Sequence, residues 1–355
     1  MLKNKKLVIT LFLSVQILLI SILKNYPEFV EQFYSNGLYL FISKLMRYVF
    51  GWLPISIGDI LYTLAGIYII RWLIINRKRI IKDTKNWLLD VSATLSIAYL
   101  AFHMLWALNY YRQPLYKSLQ LKADYSTEQL IDFTKRLVET SNKIHQQLVV
   151  NDTIKIEIPY TKSEVFSKVK TGYDHLAKTY PQLKYKPESI KNSIYSTPLT
   201  YMGFAGYFNP FTNEAQVDAL IPRYKFITTS CHEVAHQLGY AAENEANFIG
   251  CLAAISNEDL YFKYSGYTFG LRHCLVELYR RDQDVYEDIL ATINKGILKN
   301  YEDVALFWKS YENPLEPIFE KTFDNFLKVN NQSAGMKSYS YVVALLVNYY
   351  NNKPL

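Results

Sequence analysis

His232-Glu233-Val234-Ala235-His236-Gln237-Leu238-Gly239-Tyr240-Ala241-Ala242-Glu243-Asn244-Glu245-Ala246-Asn247 is the stretch on which the reading of this chain turns. It opens with HExxH. Residues four apart lie on one face of a helix. Two imidazoles so spaced can hold one metal ion, and Glu233, beside the first, can take a proton from water held by that metal. With six histidines in 355 residues, chance supplies about 0.005 such motifs per chain. A purely structural reading exists as well. Ser230-Cys231-His232-Glu233 has the form S-x-x-E, a capping box that opens a helix. That reading accounts for Glu233 but not for two histidines at i and i+4.

The flanks extend the metal reading. A hydroxyl from Thr228, Thr229 or Ser230 is available to cap the helix start. Gly239 follows the second histidine by three residues, where a glycine can end a helix in the left-handed conformation. A second helix is then expected from near Ala241 past Ala254, returning over the metal with Glu243 and Glu245. Two residues apart on a helix, these carboxylates point about 200° apart and cannot both face one ion. Glu243-Asn244-Glu245-Ala246-Asn247 resembles the E-x-x-A-D segment of gluzincin metallopeptidases such as the membrane CAAX prenyl endopeptidases. That resemblance implies Zn²⁺ as cofactor and Glu243 as third ligand. It also implies Asn247 one turn on, where it would hydrogen-bond a ligating histidine. Glu245 remains the alternative ligand. The gap between the second histidine and the carboxylate is shorter than in most gluzincins. The glycine-then-ligand layout is closer to metzincins, but no third histidine follows.

Three apolar segments precede the motif, at about residues 7–23, 57–75 and 87–108, each near the length a bilayer span needs. The first follows Lys3, Lys5 and Lys6. Lys24-Asn25-Tyr26-Pro27 after it offers no small-residue cleavage site, so it reads as an uncleaved anchor and not a signal peptide. Residues 38–53, with Lys44 and Arg47 at amphipathic spacing, read as an interfacial helix. Basic residues gather at the N-terminus and between Arg77 and Lys85, which places both in the cytoplasm and the region from 113 onward outside. The third segment has an alternative reading as a buried core helix, which would place that region inside. The expected division is a membrane region, 1–112, and an extracytoplasmic domain, 113–355.

Charge follows the same division. Residues 1–112 carry 13 Lys+Arg against 5 Asp+Glu, and residues 113–355 carry 26 against 27. The overall +7 therefore belongs to the membrane part and suits anionic lipid. The domain has no basic excess for phosphates, which argues against nucleic acid. Three cysteines without a CxxC pair make no disulfide framework.

Within the domain, helices are expected over 126–148 and 160–180, and a strand within 193–201. Turns follow at Gly203–Asn213, and a strand at 215–221 that would border the cleft. Next come a helix-turn-helix at 256–282, helices at 284–300 and 304–330, and a terminal helix at 342–350. Tyr339 and His273, with Tyr341 and Arg272, are candidate oxyanion donors or substrate contacts. Asn109, Arg112 and Asn209 are candidate cleft residues, whereas His145 and His175 read as solvated.

Residues 106–115, 206–213, 231–250 and 338–350 make the whole chain similar to a bacterial membrane family known as DUF3810. The resemblance implies membrane location and a zincin-type site, and no particular substrate. The fold class expected is an α-helical membrane anchor plus a mainly α (α+β) zincin-like metallohydrolase domain with a small sheet. The expected function is a membrane-anchored zinc metallopeptidase acting on peptide bonds. Two alternatives stand beside it: a zinc amidase on cell-envelope substrates, and a non-catalytic membrane protein that keeps the fold.

Overall fold

A bilayer core offers backbone groups no water, so apolar segments crossing it must satisfy their hydrogen bonds internally, as helices do. The computed structural model describes residues 2–336 and 341–355. Among them Lys5–Leu23, Ile57–Asn76 and Thr84–Leu105 are helices long and apolar enough to cross a membrane. Leu18, Ile67, Ile70 and Ile97 stand exposed on them, so the third segment is not a buried core helix. A chain with three such helices associates with a membrane. The first and third spans pack side by side, with Lys6 and Arg79 both paired to Asp90. The third ends at Leu105, earlier than expected. Trp106 turns the chain, and Ala107–Tyr111 form a buried 3₁₀ turn inside the fold.

The rest of the described chain is mostly helical around one small sheet. Thr127–Leu148 and Lys162–Thr179 each start at a capping box, Ser126 with Gln129 and Thr161 with Glu164. The sheet holds β1 (Ile190–Asn192), β2 (Gly206–Asn209) and β3 (Glu214–Val217) in the order β1-β3-β2. β1 runs parallel to β3, pairing Ile190 with Ala215, and β2 is antiparallel, pairing Gly206 with Val217. β3, the strand nearest the motif, is therefore central. β1 and β2 are the edge strands.

Several expectations are corrected. The strand expected within 193–201 lies at Ile190–Asn192, and Ser196–Tyr201 is a short helix with the Ser196 and Thr200 hydroxyls turned onto backbone carbonyls. Residues 256–282 contain one long helix, Leu260–Arg281, capped by Asp259. Its glycines, Gly266 and Gly270, are buried mid-helix, where packing overrides their weak helix propensity. Helices also occupy Gln283–Leu290, Lys295–Lys309, Glu316–Val329 and Val342–Tyr350. His145 is fully buried, its Nε2 2.9 Å from the Ile154 carbonyl, and His175 is held by the Ser256 carbonyl at 2.8 Å. His145 is therefore not solvated, whereas His175 keeps 30% of its side chain exposed, beside Glu258.

The motif helix runs from Arg223 to Gln237, through the middle of the core. Pro222 precedes it, so Ser230 stands two turns inside. The Ser230 hydroxyl donates to the Phe226 carbonyl at 2.7 Å, which removes the capping-box reading and the hydroxyl N-cap. At the other end the amide of Tyr240 bonds the Ala235 carbonyl and that of Gly239 bonds the His236 carbonyl, a Schellman turn. Gly239 has φ +91°, a region that costs a side chain but not glycine.

The last carbonyls of a helix have no partner within it. Here segments from the membrane side supply them. The Tyr39 hydroxyl donates to the Gln237 carbonyl at 2.9 Å, and the Trp106 indole to the His236 carbonyl at 3.1 Å. Arg112 donates to the Gly239 carbonyl at 2.8 Å, grips Glu31 through two bonds of 2.6 and 2.7 Å, and lies over the Tyr240 ring. Asn109 bonds the Trp106 carbonyl, and Asn209 accepts amides of its own turn. These three candidate cleft residues thus hold the frame. The face Tyr39, Ser43 and Arg47 of the helix Tyr39–Phe50 is buried in the protein, so this helix is more than an interfacial one.

Removing one member of a buried ion pair strands its partner. Arg112→Ala is expected to lower stability by about 3 kcal/mol. Arg112→Lys, which cannot grip a carboxylate with two bonds, should recover only part of it. Thermal unfolding of the full chain in detergent measures both.

Candidate metal centre

The Schellman turn reverses the chain so that the next helix, Glu243–Ile255, packs along the motif helix. Its first residue carries the carboxylate. Glu243 Oε2 lies 3.3 Å from His232 Nε2 and 3.5 Å from His236 Nε2. One ligand atom from each of the three lies within 4.8 Å of the others, a group able to hold a metal ion. His236 Nδ1 is 2.7 Å from the Tyr240 carbonyl. A carbonyl only accepts, so this bond fixes the proton on Nδ1 and leaves Nε2 free for a ligand. The same turn that ends the helix thereby orients its second histidine. His232 Nδ1 is buried and has no hydrogen-bond partner among the described residues.

Glu245 faces the other way, as the 200° separation requires. Its Oε1 accepts the Leu115 amide at 2.7 Å, and burial raises its carboxyl to about 7 against the Arg112 charge. Burial penalises the Glu243 carboxylate, but the His236 and His232 imidazoles outweigh that and hold it well below the ordinary range. At Glu233 the balance is reversed: burial outweighs the lowering by the His236 and Lys225 charges and pushes its carboxyl up to about 8. Its Oε2 is buried without a hydrogen-bond partner. Its Oε1 rests against β2, where a Cβ added to Gly206 would come within 2.7 Å of it.

A cavity of about 1700 Å³ opens over these groups. Asn247 lines it one turn beyond Glu243, but the hydrogen bond expected from it to a histidine is replaced by the Tyr240 carbonyl. His273 and Arg272 line it too. Burial, with Lys225 and Arg272 nearby, depresses His273 to about 3, so it presents a neutral ring. Tyr341 lines the cavity, and Tyr339 lies outside the described residues.

Two lining residues escape a sequence reading. Lys225 stands seven positions before His232 on the same helical face, and burial beside Arg272 lowers it to about 8. Its spacing was the signal that could have found it. Tyr110, buried beside the Glu243 charge, keeps its phenol protonated well above the ordinary value. It comes from the 3₁₀ turn after the third span, and no local pattern links it to the motif.

A family model described as a protein of unknown function (DUF3810) matches residues 34–347, and the chain belongs to that family. No match was found among curated proteins or among solved structures.

The two carboxylates make a sharp test. Glu243→Ala is expected to abolish divalent-metal retention, because a three-ligand group loses a bond and its charge. Glu245→Ala should retain metal, losing no more than about 100-fold in affinity, and should be less stable because the Leu115 amide is left unpaired. Metal content after dialysis, with unfolding curves alongside, separates the two.

Proposed function

We propose that this chain is a membrane-anchored zinc metallopeptidase of zincin type. His232, His236 and Glu243 would hold the metal, and Glu233 would act as general base. The observation that carries the reading is the pair of distances from Glu243 Oε2 to the two imidazoles, 3.3 and 3.5 Å. Zinc bonded at about 2.0–2.1 Å in a tetrahedron has ligand atoms about 3.3–3.4 Å apart. Two nitrogens and one carboxylate are a donor set suited to catalytic zinc, which keeps one position open. When bound, zinc supplies a Lewis acid that polarises a carbonyl and makes water acidic.

The remaining work falls to the chain's own groups. Glu233 lines the cavity and has an oxygen, Oε2, without a hydrogen-bond partner among the described residues, as suits a base that accepts a proton from water and passes it to the leaving amine. The protonated phenol of Tyr110 is the candidate donor to the developing oxyanion, ahead of the neutral His273. Gly206, Tyr207 and Phe208 of β2, an edge strand, line the cavity. An extended peptide can pair with such an edge, which favours peptide bonds over other envelope amides. Lysines and arginines at the N-terminus and at Arg77–Lys85 lie at the same end of the spans, as the shared Asp90 pairing requires. The positive-inside rule assigns that end to the cytoplasm and the cavity to the outer face.

About one zinc per chain is expected by elemental analysis, and none in His232→Ala or His236→Ala. Glu233→Gln should keep the zinc and lose turnover of an unfolded protein substrate. Gly206→Ala, which crowds Glu233 without touching a ligand, should keep zinc and lower turnover on the order of 10–100-fold. A wild-type chain that takes up no transition metal sinks the reading. Turnover by Glu233→Gln equal to wild type removes the base.

A further inference from the structure

The helix Glu316–Val329 has one face the metal centre explains and one it does not. Glu316, Glu320, Phe323 and Phe326 line the cavity. On the adjoining face Leu315, Ile318 and Val329 are exposed, Val329 at 80%, and Phe326 stands where the two faces meet. Their positions, with Thr322 between, recur at steps of three and four, so they form one apolar stripe along the helix. Lys321 and Lys328 stand to one flank, Lys328 also holding Asp324. Water is a poor neighbour for a stripe of this kind, since each square ångström of apolar surface left in it forgoes about 25 cal/mol.

What lies next to the stripe identifies its occupant. The Phe326 ring is 6.3 Å from that of Phe102, in the last turn of the third span. At the other end Tyr311 packs edge-on against Tyr201, and Asn313 bonds the Tyr201 carbonyl. The Ser196–Tyr201 helix is tied by Tyr195 to the second span, its hydroxyl 2.5 Å from Thr63 Oγ1 and 2.9 Å from the Asp59 carbonyl. Both ends of Glu316–Val329 thus connect to spans, and they do so at the spans' domain-side ends. A 22-residue helix is about 33 Å long, close to the thickness of the hydrocarbon layer. Phe102, three residues from its end, is level with the boundary between hydrocarbon and headgroups. Tyr62 of the second span and Phe102 of the third line the cavity themselves.

We propose that Glu316–Val329 lies on the bilayer surface, with its apolar stripe in lipid. With the ends of the second and third spans it forms the membrane-side wall of the cavity. The cavity then meets the lipid–water boundary, and its substrates are polypeptides already held in or on the membrane. The substrate clause rests on the metallopeptidase reading. The placement of the helix does not, and it is tested without turnover.

Cys231, Cys251 and Cys274 are buried, so a thiol-reactive fluorophore reports an added surface cysteine. Ile318→Cys and Val329→Cys are prepared in the full chain and reconstituted into vesicles containing nitroxide-labelled phospholipid. Val150→Cys, in a loop and 99% exposed, serves as the reference. Labels at 318 and 329 should be quenched by the lipid nitroxide at least about threefold more than the label at 150, and be shielded from aqueous iodide. Quenching by iodide equal to that at 150 would place the stripe in water and overturn the proposal. Shielding from both quenchers would mean that another protein surface covers it, and would overturn it equally. Zinc content of the same preparations reports on the metal reading separately, so failure of one is not mistaken for failure of the other.

Discussion

The end of the motif helix is the constraint on which the rest of this structure depends. Two histidines four apart give a direction, but a metal group also needs the carboxylate of the next helix brought to the same point. Gly239 permits the reversal, and the Schellman bonds from Gly239 and Tyr240 hold it. The Tyr240 carbonyl released by that turn is the one that meets His236 Nδ1. Chain reversal, ligand orientation and the placing of Glu243 are thus one local event. Its stability comes from outside the motif, since Tyr39, Trp106 and Arg112 supply the donors that the helix end lacks.

The legible part of the site was the part governed by short-range geometry. The i, i+4 histidines, the left-handed glycine and the opposite facing of Glu243 and Glu245 all follow from helix periodicity, and the structure has each of them. So do the three spans and the terminal helix Val342–Tyr350. What escaped depends on distant partners. Ser196–Tyr201 is β-rich by local preference, yet its hydroxyls bond back to carbonyls and make a helix. Gly266 and Gly270 suggested a turn where close packing sustains one helix. His145 sits among polar neighbours in sequence and is nevertheless enclosed, bonded to Ile154 and Asn294. Lys225 and Tyr110 enter the cavity from elements whose relation to the motif only the folded chain defines.

The sheet also repays attention for its asymmetry. β3 is shielded on both sides, so its polar residues, Glu214 and Gln216, must find partners inside. Glu214 does so by accepting the amides of Ile57 and Gly58 at the start of the second span. Asp59, one residue on, bonds Ser193 and Tyr207. A carboxylate from the sheet thus caps the span, and a carboxylate from the span braces β2. The strand that lines the cavity is therefore held by the second span, which limits how far it can move.

Membrane anchors are often interchangeable tethers, and a protease can release the domain they carry with its function intact. The donors at the end of the motif helix exclude that here. A fragment cut free at Arg112 would leave Tyr39 and Trp106 behind, together with Glu31, the carboxylate that Arg112 itself grips. The matched family region, 34–347, covers the second and third spans along with Tyr39, Trp106 and the motif, as expected of a unit inherited whole. A foreign anchor would lack these donors, so the tether is part of the instrument.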